Sequence, residues 1–392
     1  MATRLGWVSF FNDAASHVLA RILPLYLSAV LGAPPTFVGV VEGLAEGLAV
    51  FVKSVSGWLS DRSKSRKGYV FSGYALSFMA RTFYLLSFSP LLLGVSRVMD
   101  RVGKGLRCPP RDAMVADAAA SGMAGRAFGV TSRLDAFGAF AGVGLVLALG
   151  VGHGPTHAPI TTDIFRACTW IAMPLGLVAL LLMAFAVPKV ARLTPAPRLR
   201  WQVPKEIRGF LALVFLFSLA NSSDAFLVLR ASALGFGVRD ILFLFLGFNA
   251  VAALLAVPIG KLSDHFGRLP FLASGWGLYA LVYAGFGLVH GKASFLIVLL
   301  AYGAFYGLTE GVTRAMLADL LPADKRGSGY GALQLSLGVA TLIASPLMGF
   351  MLLTLGGKAA FLISALIAFS AAVGLAIWSA WRSRVQAMGM GT

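Results

Sequence analysis

The sequence is short of charge. Only 12% of its 392 residues are Asp, Glu, Lys or Arg, against roughly 25% in soluble domains, while 58% are hydrophobic. That excludes a soluble fold, whose interior could not hide so much apolar surface; a bilayer accepts it. Acids are scarcest, 16 against 33 Lys and Arg, which gives a net charge of +17. In a soluble chain such an excess would point to nucleic acid. Here the bases cluster in short segments between apolar runs, where the positive-inside bias puts them, so they report topology and no nucleic-acid partner is expected. Cysteine is nearly absent. Cys108 and Cys168 stand outside any CxxC or Cys/His cluster, so no metal or redox centre is expected, and both read as small apolar residues in helices. A cleavable signal peptide is not expected either, because the first apolar stretch is too long and lacks a small-residue cleavage site.

What is present is a series of apolar runs long enough to span. A spanning helix needs about 20 mostly apolar residues, and twelve candidates meet this: 5–31, 36–59, 68–88, 91–116, 126–150, 164–187, 207–233, 239–261, 268–290, 293–319, 327–355 and 358–381. Short links join them, many marked by Pro or Gly. The link at 188–208 differs, being Pro-rich and basic, with Lys189, Arg192, Arg198, Arg200, Lys205 and Arg208 against Glu206. It separates an N-terminal six-helix bundle, 1–187, from a C-terminal one, 209–392. The link after span 2 carries Arg62, Lys64, Arg66 and Lys67, and the C-terminal tail carries Arg382 and Arg384. Both termini and the central link are therefore expected on the cytoplasmic side of the cell (inner) membrane.

The halves repeat one another. Gly57-Trp58-Leu59-Ser60-Asp61-Arg62 after span 2 matches Gly260-Lys261-Leu262-Ser263-Asp264-His265 after span 8, at an offset of 203. Arg111-Asp112-Ala113-Met114-Val115-Ala116-Asp117 matches Thr313-Arg314-Ala315-Met316-Leu317-Ala318-Asp319 at 202. Six spans return a chain to its starting side, so the copies share one orientation.

These segments resemble the signature loop of the major facilitator superfamily, approximately G-x-L-x-D-R-x-G-R-K. The second copy keeps Gly260, Leu262, Asp264, Gly267 and Arg268. The first keeps Gly57, Leu59, Asp61 and Arg62, then places Lys64 where Gly is usual, with Arg66 and Lys67 at the basic end. The resemblance implies an all-α fold of twelve membrane helices in two pseudo-symmetric six-helix bundles. It also implies a secondary transporter, not an enzyme, whose halves rock about a central site. For the loop it implies a cytoplasmic gate of Gly57, Asp61, Arg62, Gly260, Asp264, Gly267 and Arg268. On physical grounds the glycines permit close helix approach and the carboxylates can meet a helix end or an Arg; a purely topological stop is the competing reading. Span 4 keeps the family's Arg as Arg97, but Asp100 and Arg101 depart from what usually follows. Span 5 has Gly138 and Gly142 but Val143 in place of the exporters' Pro.

Intramembrane ionisable residues are expensive and mark functional candidates. Span 1 carries Asp13, His17 and Arg21 on one face at i, i+4, i+8, with Asn12 and Ser16 beside it. Span 2 carries Glu42, Glu46 and Lys53. If the two spans run antiparallel as neighbours, depth matches Arg21 with Glu46 (or Glu42) and Asp13 with Lys53. Such pairs serve transport or merely offset their own burial. Span 5 adds Arg133 and Asp135, span 7 Asn221, Asp224 and Arg230, and span 10 Glu310 and Arg314. In the family spans 1, 4, 7 and 10 line the cavity, which favours Asp13, His17, Arg21, Arg97, Asp100, Arg101, Asn221, Asp224 and Glu310. Mixed charges suit a small polar or ionic solute. Asp13, His17, Glu46 or Glu310 could couple transport to protons, so the proton gradient stands where a cofactor would, and none is expected. Export is favoured over import, and a monomer is the expected state. His153 and His157 are spaced as two metal ligands, but Pro155 and the lack of further ligands argue against a site. The first two spans have no charged counterpart in the second half, so the chemistry is expected in the N-terminal half.

Overall fold

The computed structural model describes residues 2–63, 65–86, 88–117, 124–149, 160–188, 207–321 and 326–387. Residues 189–206 of the basic link, His153 and His157 lie outside these, as do the side chains of Arg382 and Arg384. By Cα proximity the chain divides into two compact units, Met1–Arg198 with Phe236–Leu242, and Leu199–Gly235 with Phe243–Thr392.

In the first unit the helices are α1 (Ala2–Leu25), α2 (Pro35–Arg62), α3 (Lys67–Leu86), α4 (Pro90–Asp117), α5 (Ala124–Ala148) and α6 (Thr162–Leu181). α1 and α6 each end in a π turn, Tyr26–Val30 and Leu182–Ala186. Their boundaries follow local chemistry. Pro35 opens α2 at a position where the missing N–H costs nothing. The Thr161 side chain caps α6 by accepting from the Ile164 N–H at 3.3 Å. α1 packs on α5 and α6, α2 on α4, and α3 on α4 and α6.

In the second unit the helices are α7 (Arg208–Ala220), α8 (Ala225–Ala233), α9 (Val238–Phe266, apart from its first residues through Leu242), α10 (Arg268–Leu288), α11 (Lys292–Leu320), α12 (Arg326–Thr354) and α13 (Gly356–Ala387). α7 packs on α12 and α13, and α10 on α11 and α13. The expected span 207–233 is thus two helices, broken at Asn221-Ser222-Ser223-Asp224. Four consecutive polar side chains compete with the backbone for hydrogen bonds, and the ladder yields there. The freed Ala220 carbonyl accepts from the Tyr279 hydroxyl at 2.8 Å, and the Ser223 N–H donates to Ser345 Oγ at 3.2 Å. A break at membrane depth persists only with such partners.

The repeat is real in three dimensions. A Cβ on Gly105 would lie 2.6 Å from the Ala49 carbonyl and 3.0 Å from Val52. One on Gly307 would lie 3.1 Å from the Ala252 carbonyl and 2.8 Å from Leu255. Both glycines let α4 and α11 approach α2 and α9, at the same offset that relates the sequence copies. The approach expected at Gly57 and Gly260 is not there. A Cβ on Gly57 would meet Pro109 at an ordinary 3.4 Å, and one on Gly260 would meet nothing within 4 Å. Gly267 has φ +91, the left-handed backbone of the tight turn from α9 to α10.

Among the described residues eight helical segments are long and apolar enough to cross a membrane: α2, α6, α7 with α8, and α9 to α13. The helices that miss this measure, α1, α3, α4 and α5, all belong to the first unit and carry most of its internal charges, α2 supplying Glu42 and Glu46.

Candidate functional site

The charges of the first unit converge. The α4 residues Arg97, Arg101, Lys104 and Arg111 recur at a spacing that puts them along one helix face. Arg97 Nε and Nη2 donate to the two carboxylate oxygens of Glu42 at 2.9 and 3.0 Å, a buried bidentate pair. Arg101 Nε lies 3.0 Å from Glu46 Oε1, and Arg97 Nη2 lies 3.9 Å from it. Glu46 therefore pairs with α4 and not with Arg21, and no Asp13–Lys53 pair forms among the described residues. The reason is packing: α2 lies along α4, drawn in at Gly105, where Ser56 Oγ also donates to the Gly105 carbonyl at 2.9 Å. Asp13 instead accepts from Asn12 Nδ2 at 3.3 Å. Asp13, His17 and Arg21 are all partly exposed. His17 lies within electrostatic range of Asp13, Arg21, Lys104 and Arg101.

A second layer centres on Arg81 and Arg107, which the sequence reading left out. Arg81 of α3 is 1% exposed. Its Nη2 donates to Asn12 Oδ1 at 2.8 Å and to Ser16 Oγ at 2.7 Å, and lies 3.9 Å from Asp100 Oδ1. Its Nη1 packs over Gly176 of α6, where a Cβ would come within 2.5 Å. Arg107 Nη1 donates to Ser77 Oγ at 2.7 Å, and its guanidinium sits 4.8 Å from the centre of the Tyr74 ring. Ser77 Oγ donates to the Asp100 carbonyl at 3.2 Å. Arg111 gathers Asp112 at 2.9 Å, Asp135 at 3.4 Å and Ser9. Asp135 thus joins the web, whereas Arg133 is exposed. Arg81 had a readable signal, as the lone ionisable residue inside an apolar span.

The second unit has the same frame and other contents. Around Asp224, which accepts from the Tyr302 hydroxyl at 3.1 Å, the core is aromatic. Phe217 stacks on Trp276 at 4.6 Å and Tyr279 on Tyr283 at 4.1 Å. The side chain of Arg230 closes the end of α10, donating to the carbonyls of Phe286 and Val289 at 3.2 and 2.7 Å. Asn221 stands at the helix break. Glu310 pairs with Arg314 one turn on at 2.9 Å, both 61% exposed, so it lies on the surface of this unit, outside its aromatic cluster.

At the loop expected to gate, an ion pair recurs. Arg66 meets Asp117, and Arg268, 202 positions on, meets Asp319 at 3.2 Å and also Asp264. Arg62 is not in this contact; its guanidinium stacks 3.7 Å from the centre of the Trp58 ring. The Asp61 side chain lies outside the described residues.

Two related helical halves, charged residues held at membrane depth and a doubled loop of Arg–Asp pairs define a multi-pass membrane transporter fold. The Major Facilitator Superfamily model matches residues 5–238 and again 209–389, and the chain belongs to that superfamily. It is 29% identical to an uncharacterized MFS-type transporter of Methanocaldococcus jannaschii over 363 residues, 88% of this chain and 87% of that one. Over 152 residues, 38% of each chain, it is 28% identical to the multi-drug resistance efflux pump PmrA of Streptococcus pneumoniae. In fold it resembles a POT family transporter crystallised with 5-aminolevulinic acid, with a TM-score of 0.78 over 96% of both chains at 13% identity.

Proposed function

We propose that this protein is a secondary transporter that moves a small polar or charged solute by alternating access, coupled to protons, with export the favoured direction. The observation that carries the reading is the web joining α1, α2, α3 and α4. Asp13, His17, Arg21, Glu46, Arg101 and Lys104 are all partly exposed, so a solute or proton can reach them. Superfamily membership and the partial likeness to an efflux pump support transport and its direction. The basic links support cytoplasmic termini. Import of the same class of solute is the second reading, favoured by the absence of the exporters' Pro at Val143.

Reconstitution into oriented vesicles tests both. Asp13→Asn is expected to abolish proton-driven flux while leaving the protein folded. Unchanged flux with unchanged proton movement would remove Asp13 from coupling. Reversal of the imposed pH gradient decides between export and import.

A further inference from the structure

The charges of the first unit do not balance locally. Arg97 takes Glu42, Arg101 takes Glu46, Arg81 faces Asp100, and Arg111 takes both Asp112 and Asp135. With every one of these acids engaged, Lys104 is left over. It has no hydrogen bond or ion pair among the described residues, and it is only partly buried. Arg101, a like charge one turn away on the same helix, works against its ammonium, and Glu46 and Asp13 are the carboxylates within electrostatic range. Glu46 is already held by Arg101 and Arg97. Asp13 takes its hydrogen bond from Asn12. His17 and Arg21 of α1 add one more cation and one titratable ring to the same neighbourhood.

An uncompensated ammonium at membrane depth is costly, and a second cation beside it raises that cost. The same arrangement is complementary to an anion. Unlike a cation held by a protein carboxylate, one without a partner can bind an incoming charge without breaking an existing pair. The second half shows that the frame does not need this charge, since the residue 202 positions after Lys104 is Tyr306, packed edge-on to Phe248 and Tyr302 at 5.3 and 5.2 Å.

We infer that Lys104, with Arg101 and the neighbouring His17 and Arg21, is the anion-binding part of the substrate site, so that the solute carries an oxyanion, a carboxylate or a phosphate. This rests on the transporter reading and narrows it to a substrate class.

The test uses the full chain in lipid nanodiscs with acetate, succinate and inorganic phosphate. Acetamide, succinamide and trimethyl phosphate serve as uncharged counterparts. Thermal unfolding is followed for the unaltered protein, Lys104→Arg and Lys104→Gln. At least one acid is expected to raise the unfolding midpoint where its uncharged counterpart does not. Succinate over phosphate would assign a carboxylate, and the reverse a phosphate. K104Q is expected to weaken that binding by about tenfold or more while K104R retains it. Without any ligand, K104Q is expected to unfold at a higher temperature, because it removes an unpaired charge. The inference is overturned if no acid distinguishes the unaltered protein from K104Q. It also falls if K104Q and Asp13→Asn each lower the ligand-free midpoint alike, which would make Lys104 and Asp13 a structural pair. Saturable vesicle flux of a neutral or cationic solute, insensitive to K104Q, would overturn the anion and leave the transporter standing. Acid binding at Lys104 with no flux of any solute would do the opposite.

Discussion

At positions 202 residues apart, the two halves hang different side chains on one backbone plan. Ser77, Arg81, Asp100, Lys104 and Arg107 in the first half correspond to Tyr279, Tyr283, Tyr302, Tyr306 and Thr309 in the second. In the first set Ser77, Arg81, Asp100 and Arg107 form a web in which each depends on a partner from another helix, and Lys104 stands beside it with none among the described residues. In the second set the four tyrosines pack as rings, burying area and satisfying edge-to-face preferences. The glycine contacts at Gly105 and Gly307 are the same in both. Helix packing and polar chemistry are therefore separable here: small residues set the frame, and the frame accepts either a charged or an aromatic filling. A polar filling costs specificity of partner and gains recognition; an aromatic one gains rigidity.

The largest expected effect breaks the polar filling outright. Glu42→Ala takes the bidentate partner from buried Arg97, leaving it only the 3.9 Å contact to Glu46, and a loss of about 3 kcal/mol is expected. Glu42→Leu combined with Arg97→Leu imitates the second half, where the counterparts are Phe245 and Leu299, and should recover most of that loss in thermal unfolding. If the double variant is no more stable than the single, the two fillings are not interchangeable. A middle effect sharpens the comparison. Arg81→Met strands Asn12, Ser16 and Asp100 and should cost about 3 kcal/mol, whereas Tyr283→Phe at the matching position should cost about 1 kcal/mol. Equal costs would mean that the web is no more demanding than the rings. The smallest effect lies at the repeated loop. Arg66→Gln and Arg268→Gln each remove an ion pair to an exposed carboxylate, so each should shift stability by less than about 1 kcal/mol. Both are expected to change the transport rate, measured as initial flux, in the same direction. Opposite directions would show that the two loop copies do different work.

Much of this was legible in the sequence. The apolar runs located the helices, the 202–203 offset located the repeat, the cost of intramembrane charge flagged Glu42 and Glu46, and the family resemblance flagged Arg97, Asp100 and Arg101. Partners were not legible, because they depend on which helices are neighbours. Taking spans 1 and 2 as adjacent gave Arg21 with Glu46 (or Glu42) and Asp13 with Lys53, but α2 packs along α4, where Glu42 meets Arg97 and Glu46 meets Arg101. Arg62 and Arg66 are both loop bases, and only the position of Asp117 in space selects Arg66. The break in α7 was written as Asn221-Ser222-Ser223-Asp224 yet looked like one span, since apolar runs on both sides met the length requirement.

That break changes what kind of object the span is. α7 and α8 have 13 and 9 residues, about 20 and 14 Å of helix at 1.5 Å per residue, each short of a bilayer core about 30 Å thick. Neither rod crosses alone. Together they form a jointed strut whose joint is held by α10 through Tyr279, by α11 through Tyr302 and by α12 through Ser345. The stiffness that an unbroken helix takes from its own ladder is here lent by three neighbours, and a displacement of any of them is felt as a change of angle at Asp224.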